Sequence, residues 1–583
     1  MSCKSGVGPL KNEAGEYIVN AKEKTTLFNK YFSSVCIKDD NVIPPAKGPM
    51  NNQTLELVFF NTKDTYAALN KLKSSLSAGP DGYPPLFFKK LAKCLARPLT
   101  MLNSKIFSFE HLPIAWKTAL VTPVFKKGCS SNVSNYRPIS LTCVACKIFE
   151  ATVKNQIMDF LLKTGTLNAA QHGFLAGHST STNLLESLCD WTLNLKNGTQ
   201  TRIAYVDFAK AFDTVCYNKL LIKLTRYGIS GSLQQIIKSF LSNRTQRVII
   251  EGIKSDSVDI TSGVPQGSVL GPLLFLVYIN DLADIFPDNV ISKLFADDAK
   301  LYTEIKTSSD IDNLQFSIDA LSTWAETWQL KISISKCTAL DISLKNKTDS
   351  YCDNTIQGTV LKTLEEVIDL GVKFDSKLTF TPHISLVVAK AKQRLFLLFR
   401  AFQTREIAPL LTAYKSYILP IVSYCSSVWS PHQLGDIYAL ESVQRLFSRR
   451  IWGLEKLPYN ARLKLLKIPS LELRRLRADL LLCFKIIHGL IAGPPQNYGL
   501  IIATNKATRG HDKKLFLGHS RVEARRNYFG NRVIEPWNSL SSDIVNAPSC
   551  VAFKKLLLTC NLNKFLQLNF DNFEEDFSGF YNF

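Results

Sequence analysis

The sequence predicts an α+β fold over the first two-thirds of the chain and a mainly α-helical, basic region over the last third. Strand and helix patterns interleave irregularly up to about residue 376, whereas the pattern from Lys377 onwards is mostly helical. The chain has 583 residues, of which 46% are apolar and 20% charged, as is typical of a folded protein. This length exceeds one ordinary core, so several domains are expected.

Changes in this pattern place the expected domain boundaries. Residues 1–62 are mixed and polar with several prolines, and they are interpreted as an N-terminal linker or extension. Residues 63–376 carry the interleaved strands and helices. Residues 377–450 and 451–583 are predicted as two helical regions, and the second of these is basic.

The individual elements follow from periodicity and from turn residues. An apolar helical rhythm starts at Lys63 and breaks at the turn-forming segment 78–82, after which a helical pattern runs from Pro84 to about Phe109. Further along, the sequence predicts three strands, two helices and one hairpin, namely strands at 120–125, 203–208 and 247–251, helices at 233–241 and 269–281, and a hairpin at 294–301.

Charge is the most unusual feature of the composition. The formal net charge is +21, from 70 Lys and Arg against 49 Asp and Glu. Residues 441–532 alone hold 19 Lys and Arg against 6 Asp and Glu. Such a concentration predicts contact with a polyanion, either nucleic acid or an anionic membrane surface, although a solvated helical surface is the alternative interpretation.

Targeting signals and a disulfide framework are not apparent in the sequence. The fourteen cysteines have no framework spacing, and Cys143–Cys146 is an isolated CxxC, so reduced thiols are expected. Residues 1–17 lack the apolar stretch of a signal peptide, and the segment 480–491 is too short and too polar for a membrane span. A cytoplasmic or nuclear location is therefore expected, neither secreted nor membrane-bound.

Two acidic dipeptides differ sharply in their surroundings. Asp39-Asp40 lies among polar residues and is interpreted as solvated surface charge. Asp297-Asp298 lies within an apolar hairpin pattern, where adjacent carboxylates repel each other and resist desolvation. Asp207 likewise ends an apolar strand pattern. If the two strands are neighbours, the three carboxylates converge, although turn capping would account for one of them.

Three converging carboxylates are an oxygen-rich ligand set that suits Mg²⁺ or Mn²⁺. Two such ions about 3.5–4 Å apart can activate an attacking 3′-hydroxyl and stabilise the departing pyrophosphate. Asp207, Asp297 and Asp298 are therefore the predicted catalytic metal ligands.

Several motifs, in their order along the chain, resemble those of the reverse transcriptases of non-LTR retrotransposons, particularly the jockey-like (LINE-type) elements. The resemblance covers roughly residues 60–440 and extends to short matches near the C-terminal end. The matching segments are 77–82 (SAGPDG), 135–141 (NYRPISL), 171–174 (QHGF), 206–213 (VDFAKAFD, motif A), 263–272 (GVPQGSVLGP, motif B), 295–298 (FADD, motif C), 508–511 (TRGH) and 536–540 (PWNSL).

This resemblance implies a right-hand polymerase, with fingers and palm in residues 63–376, the thumb in 377–450 and a basic helical region in 451–583. It implies an RNA-directed DNA polymerase that adds dNTPs to a primer 3′-hydroxyl by two-metal nucleotidyl transfer. The expected partners are an RNA template, a DNA primer and dNTPs, with no membrane. About sixty residues precede the first motif, so the family's endonuclease is expected to be lacking.

The resemblance also assigns roles outside the carboxylates. Lys126 and Arg137 would hold the triphosphate, and Phe212 would be a bulky gate against the ribose 2′-hydroxyl. Gln266, with Gly267, would contact the incoming nucleotide or the template. Lys336 would donate a proton to pyrophosphate. Residues 370–372 (LGV) would belong to the primer grip.

Other interpretations remain open for these residues and for the whole chain. Lys336 could be a solvated strand-end lysine, Phe212 a core residue, and Arg137 a structural residue before Pro138. The chain could be a decayed or domesticated nucleic-acid-binding protein without turnover. It could also be an RNA-templated RNA polymerase, against which a bulky Phe212 argues.

Overall fold

Two separate five-stranded sheets form the α/β part of the computed structural model, and helices follow them along the chain. The structure describes residues 6–12, 14–45, 48, 50, 52–344, 353–503 and 510–568. Thr508 and Arg509 of the C-terminal motif lie outside the described residues.

The elements up to residue 305 alternate irregularly between strands and helices. They are β1 Leu10–Lys11, β2 Tyr17–Ile18, α1 Ala21–Ser34, α2 Thr62–Lys71, α3 Pro85–Lys90, α4 Ala92–Ser108, β3 Thr118–Phe125, β4 Tyr136–Leu141, α5 Val144–Lys163, α6 Thr180–Lys196, β5 Gln200–Asp207, α7 Tyr217–Arg226, α8 Gly231–Leu241, β6 Arg244–Ile250, β7 Ile253–Lys254, β8 Val258–Ile260, α9 Gly271–Ile279, β9 Ile291–Phe295 and β10 Asp298–Ile305.

The later elements become helical after residue 375, as the sequence predicts. They are α10 Ser308–Thr327, β11 Thr338–Ile342, β12 Thr355–Ile356, β13 Thr359–Val360, β14 Lys362–Leu364, β15 Glu366–Asp369, β16 Val372–Asp375, α11 Thr381–Ala401, α12 Ile407–Tyr417, α13 Leu419–Ser423, α14 Ser426–Trp429, α15 Leu434–Arg449, α16 Tyr459–Leu466, α17 Leu471–Ile487, α18 Glu523–Arg526, α19 Phe529–Arg532, α20 Ile534–Asn538, α21 Ser542–Val545 and α22 Cys550–Leu558.

The central sheet has the strand order β14-β11-β5-β10-β9. β10 is antiparallel to both β5 and β9, and β11 is antiparallel to β5 and parallel to β14. Side chains alternate between the two faces of a strand, so Ile203 packs into one hydrophobic core and Ala204 into another. Burial on both faces explains why the sequence of β5 reads as a continuous apolar run.

The second sheet has the order β4-β3-β6-β7, with β8 paired to β6. β3 and β4 are antiparallel, whereas β3 and β6 are parallel. Helix α1 covers this sheet through Phe28, which is fully buried with Val121 and Val248. The antiparallel pair β3–β4 sets the relative position of Lys126, just beyond β3, and Arg137 on β4.

The basic stretch 441–532 is partly structural. Arg462, Arg475 and Arg477 are buried, so they are not a solvated surface. Arg532 Nε donates to Asp479 Oδ2 at 2.9 Å, and Arg525 Nη1 donates to the carbonyl oxygen of Cys189, also at 2.9 Å. A count of charges along the sequence therefore overstates the positive charge that this region presents to a ligand.

Asp39 and Asp40 lie at the surface, as the sequence predicts, but they also pair with side chains of α7. Asp40 Oδ2 accepts a 2.8 Å hydrogen bond from Lys219 Nζ, and the Lys219 side chain is only 1% exposed. Asp39 Oδ2 accepts from Asn218 Nδ2. The dipeptide neutralises a buried cation on α7, a long-range pairing that local sequence composition does not reveal.

None of the described helices combines the length and the apolar composition that a membrane span needs.

Candidate active site

The register of the central sheet brings the three predicted carboxylates together. Asp207 ends β5 directly opposite Asp298, the first residue of β10. Asp298 also pairs with Phe295 on β9, so Ala296 and Asp297 form the two-residue turn of the β9–β10 hairpin. We call this element the catalytic hairpin, after the role predicted for Asp297 and Asp298. Ala296 has φ 55°, the left-handed conformation that such tight turns require.

A cavity of about 480 Å³ opens beside these carboxylates. Six of the nine sequence-predicted site residues line it, namely Asp207, Asp297, Asp298, Lys126, Arg137 and Lys336. Ile368, Asp369, Leu370 and Gly371 line it as well, so most of the candidate primer-grip segment lies in the same wall. The cavity thus joins an acidic cluster to a set of basic side chains, the arrangement needed to hold metal ions and a phosphate chain together.

The electrostatics of the cluster disfavour three charged carboxylates without added cations. Removal from bulk water raises the pKa of Asp298 to about 6, and the neighbouring charges of Asp297 and Asp207 act in the same direction. Burial and the charge of Asp207 also raise the pKa of Asp297. Positive charge placed among these groups would reverse the effect.

The basic residues of the cavity act on one another and on Asp207. Lys336 Nζ donates to Asp207 Oδ1 at 2.7 Å, and both side chains remain partly exposed. The backbone supports this pairing, because Ser333 N donates to the carbonyl oxygen of Asp207 at 2.8 Å. Partial burial and the charges of Arg137 and Lys336 lower the pKa of Lys126. Such a concentration of positive charge suits a polyphosphate ligand.

Phe212, Gln266 and Gly267 are absent from the described residues that line this cavity. Phe212 is half-buried and stacks on Phe275, with ring centroids 4.3 Å apart. Gln266 Nε2 donates to Asp213 Oδ1 at 2.8 Å, and the carbonyl oxygen of Gln266 accepts from Ser140 N at 2.7 Å. The structure therefore ties the Gln266 loop to β4, the strand of Arg137.

Gly267 allows the close approach between that loop and β4. Its φ is 120°, and a Cβ atom there would lie 2.4 Å from the carbonyl oxygen of Ser140. No residue other than glycine fits this position without moving one of the two segments.

Three further ionisable groups near the site were missed by the sequence reasoning. Lys300 and Asp369 line the cavity as a buried ion pair with a separation of 2.7 Å. Asp213 is hydrogen-bonded to Gln266, and burial raises its pKa to about 6. Lys300 interrupts the apolar pattern of β10 as Asp207 interrupts that of β5, and this signal could have identified it.

The carboxylates fit divalent metal ions by donor chemistry and by strand position. Among the described residues, no group of three or more His, Cys, Asp or Glu side chains is arranged to hold a metal ion. The carboxylate of Asp207 instead pairs with Lys336. Hard oxygen donors on adjacent strands are nevertheless the set that Mg²⁺ prefers, and burial together with neighbouring carboxylate charge raises the pKa values of Asp297 and Asp298.

Comparisons with known proteins agree with this geometry. Residues 124–373 match a family described as "Reverse transcriptase (RNA-dependent DNA polymerase)". This range includes all nine predicted site residues. The central sheet lies wholly within this range, and the second sheet does so apart from residues 118–123 of β3.

The chain is also similar to polymerases of mobile elements. It is 26% identical over 467 residues to the "RNA-directed DNA polymerase from mobile element jockey" of Drosophila melanogaster, covering 76% of this chain and 50% of that protein. The jockey polymerase of Drosophila funebris is 26% identical over 464 residues, covering 76% of this chain and 50% of the relative. A "Retrovirus-related Pol polyprotein from type-1 retrotransposable element R2" of Popillia japonica is 26% identical over 239 residues, which are 38% of this chain and 37% of that protein.

The chain spans about half the length of the jockey proteins that it matches. The matched family and the jockey relatives agree with the resemblance that the sequence motifs carry. The chain therefore carries a reverse transcriptase domain and is related to the RNA-directed DNA polymerases of jockey-like non-LTR mobile elements.

Proposed function

We propose that this chain is an RNA-directed DNA polymerase of a non-LTR retrotransposon, which adds dNTPs to a DNA primer on an RNA template. The observation that carries the proposal is the convergence of Asp207, Asp297 and Asp298 on a cavity lined by Lys126, Arg137 and Lys336. Nucleotidyl transfer needs an acidic metal-binding cluster and a basic binding site for the triphosphate within reach of each other.

The two sheets and the later helices can be assigned to the subdomains of a right-hand polymerase. In this proposal the central sheet is the palm, the second sheet with α1–α4 forms the fingers, and α11–α15 form the thumb. The carboxylates would then lie in the palm, and Arg137 would lie in the fingers on β4. The turn between β15 and β16, at Leu370 and Gly371, would support the primer terminus.

Asp207, Asp297 and Asp298 would hold two Mg²⁺ ions, with Mn²⁺ as a substitute. Bound ions would supply Lewis acidity toward the primer 3′-hydroxyl and toward the phosphate oxygens. Their charge would lower the raised pKa of Asp298, because divalent cations favour the ionised form of a carboxylate.

The basic side chains would bind and neutralise the triphosphate. Arg137 offers a planar fork that matches phosphate oxygens, and Lys126 offers a point charge. Lys336 would leave Asp207 on nucleotide binding and protonate the departing pyrophosphate. Gln266, with Gly267, would position the incoming nucleotide or template through the loop joined to β4, and Phe212 would discriminate against ribonucleotides.

The test is dTTP incorporation on a poly(rA)·oligo(dT) template with Mg²⁺, in wild type and in Asp297→Asn. The variant keeps the shape of the side chain but removes a metal-binding charge, so the rate is expected to fall by several orders of magnitude. Asp479→Asn is the matched control, since Asp479 is a buried aspartate that pairs with Arg532 outside the site. The control is expected to lose stability and to keep its rate per folded molecule.

Two other outcomes would replace the proposal. A folded wild type that binds RNA yet incorporates no nucleotide with Mg²⁺ or Mn²⁺ would indicate a nucleic-acid-binding protein without turnover. Preferential incorporation of UTP over dTTP would indicate an RNA-templated RNA polymerase and would contradict the role given to Phe212.

A further inference from the structure

The segment of residues 170–173 runs along the edge of the catalytic hairpin. β9 is the edge strand of the central sheet, and Gln171 forms an isolated parallel bridge to Leu294 on it. Leu294 N donates to the carbonyl oxygen of Ala170 at 2.8 Å, and His172 N donates to that of Leu294 at 2.9 Å. The segment therefore occupies hydrogen-bonding groups that an edge strand would otherwise expose.

The side chain of Gln171 reaches past this bridge to the turn that carries Asp297. Gln171 is 3% exposed, and its Oε1 accepts from Gly173 N at 2.7 Å and from Ala296 N at 3.0 Å. Ala296 has the left-handed φ of 55°, which costs an L-residue about 1 kcal/mol or more. A conformation of this kind persists only where its surroundings hold it.

Gly173 allows the segment to approach the turn closely. A Cβ atom at this position would lie 2.5 Å from the backbone nitrogen of Ala296. The Gln-His-Gly order is thus explained by contacts with the hairpin, since Gln171 supplies the acceptor and Gly173 supplies the space.

Helix α6 holds β9 from another side. Asn183 Nδ2 donates to the carbonyl oxygen of Leu294 at 3.2 Å, and Glu186 forms an ion pair with Lys293. Burial opposes ionisation of Glu186, but the His172 ring, whose Nε2 lies 3.4 Å from Glu186 Oε2, and the charge of Lys293 lower its pKa to about 2. The strand before the turn is therefore fixed, and Gln171 is the side chain that fixes the turn itself.

We infer that Gln171 is a positioning residue for the catalytic hairpin, because it holds Ala296 in the left-handed conformation and so directs Asp297 toward Asp207. The inference rests on the proposed polymerase function. Gln171 touches no substrate in this account and acts through the backbone of Ala296. Its loss should therefore slow the chemical step more than it weakens nucleotide binding.

The test compares wild type with Gln171→Met, which preserves length and removes the acceptor. The expected result is a fall in kcat of about tenfold to a hundredfold, as for a catalytic group displaced by about 1 Å, with the KM for dTTP changed less than threefold. Gly173→Ala should likewise lower kcat more than it changes the KM for dTTP, because the added methyl group pushes on Ala296. If the methionine variant does not fold, Gln171→Asn withdraws the same oxygen by one methylene and should act in the same direction.

Gln444→Met on α15 is the control for a purely structural effect. Gln444 is buried and hydrogen-bonded to Tyr414 and Tyr459 in the helical region. This control is expected to lower the melting temperature while kcat per folded molecule stays near wild type. An unchanged kcat in Gln171→Met, or equal losses in both variants, would overturn the inference.

Amide hydrogen exchange at Ala296 separates this inference from the proposed function. The Ala296 amide donates to Gln171 Oε1, so its exchange is expected to accelerate in Gln171→Met whether or not the wild type polymerises. An inactive wild type would count against the proposed function alone. An unchanged exchange rate at Ala296 would contradict the role of the hydrogen bond between Ala296 N and Gln171 Oε1.

Discussion

Lys300 and Asp369 form an ion pair in the wall of the carboxylate cavity. Their side chains are 4% and 8% exposed, and Nζ lies 2.7 Å from Oδ2. Lys300 Nζ also lies 5.4 Å from the centre of the Trp191 ring. A buried pair of this kind adds little net stability, but either charge alone is costly. The pair joins β10, which begins with Asp298, to β15.

Lys300→Met is expected to lower the free energy of unfolding by about 3–5 kcal/mol, because Asp369 is left buried without its cation. Lys300→Met combined with Asp369→Leu should recover most of that loss. The measurement is a double-mutant cycle from urea unfolding. Losses that simply add between the two single variants would show that the charges do not interact.

For single residues, the sequence predicts which carboxylates are functional better than it predicts which side chains contact each other. Asp207 and Asp297 interrupt apolar strand patterns, and that conflict is visible locally. Lys219 is held by Asp40, which lies 179 positions earlier in the chain, and no local pattern links the two. The role of Gln171 is equally hidden, since its partner is a backbone amide on a distant hairpin.

Helix α11 begins with a buried histidine that must stay neutral in the folded protein. His383 is 2% exposed, and its Nδ1 accepts a hydrogen bond from Lys373 N at 3.1 Å. Burial, with a smaller effect from the charge of Lys373, lowers its pKa to about 4. An unfolded chain would bind a proton at this residue near pH 6.5.

The helical region should therefore lose stability on acidification. The unfolded state binds a proton at His383 below about pH 6.5, whereas the folded state binds it only below about pH 4. The free energy of unfolding therefore decreases as the pH falls from about 6.5 to about 4. The loss at pH 5 is about 2 kcal/mol relative to pH 8. His383→Gln should remove this part of the pH dependence, as measured by urea unfolding at both pH values. If the free energy of unfolding depends on pH in the same way in wild type and in His383→Gln, the prediction is wrong.

Elements are predictable from the sequence where their pattern is local. The strand predicted at 203–208 is β5 at Gln200–Asp207, and the hairpin predicted at 294–301 is β9–β10. Pairing across the chain is not local. β3 lies parallel to β6 more than a hundred residues later, and β11 pairs with β5 from a similar distance along the chain. Hydrophobic alternation fixes which face a strand buries but not its neighbour.

Over the whole molecule, the positive charge divides into a structural part and an exposed part. Arg525 and Arg532 are engaged by backbone carbonyl oxygens and by Asp479, whereas Arg449 and Lys456 are exposed on the same basic stretch. Only exposed cations can displace counterions from a nucleic acid.

Arg449→Gln and Lys456→Gln are each expected to reduce the slope of log Kd against log salt for RNA binding by up to about 1, without lowering the melting temperature. Arg525→Gln and Arg532→Gln should lower the melting temperature and leave the slope unchanged. The measurement is fluorescence anisotropy over a salt series. A reversed pattern would place the nucleic-acid contact on Arg525 and Arg532.

The position of β11 has a consequence for biosynthesis. β5 is paired on one side with β10 and on the other with β11, which contributes residues 338–342, and Lys336 reaches Asp207 from the turn just before β11. A nascent chain that has emerged only to residue 330 exposes one edge of β5, an apolar strand open to pairing with other chains. Ribosome-bound chains of that length should therefore require chaperones until about ten further residues emerge and cover this edge of β5.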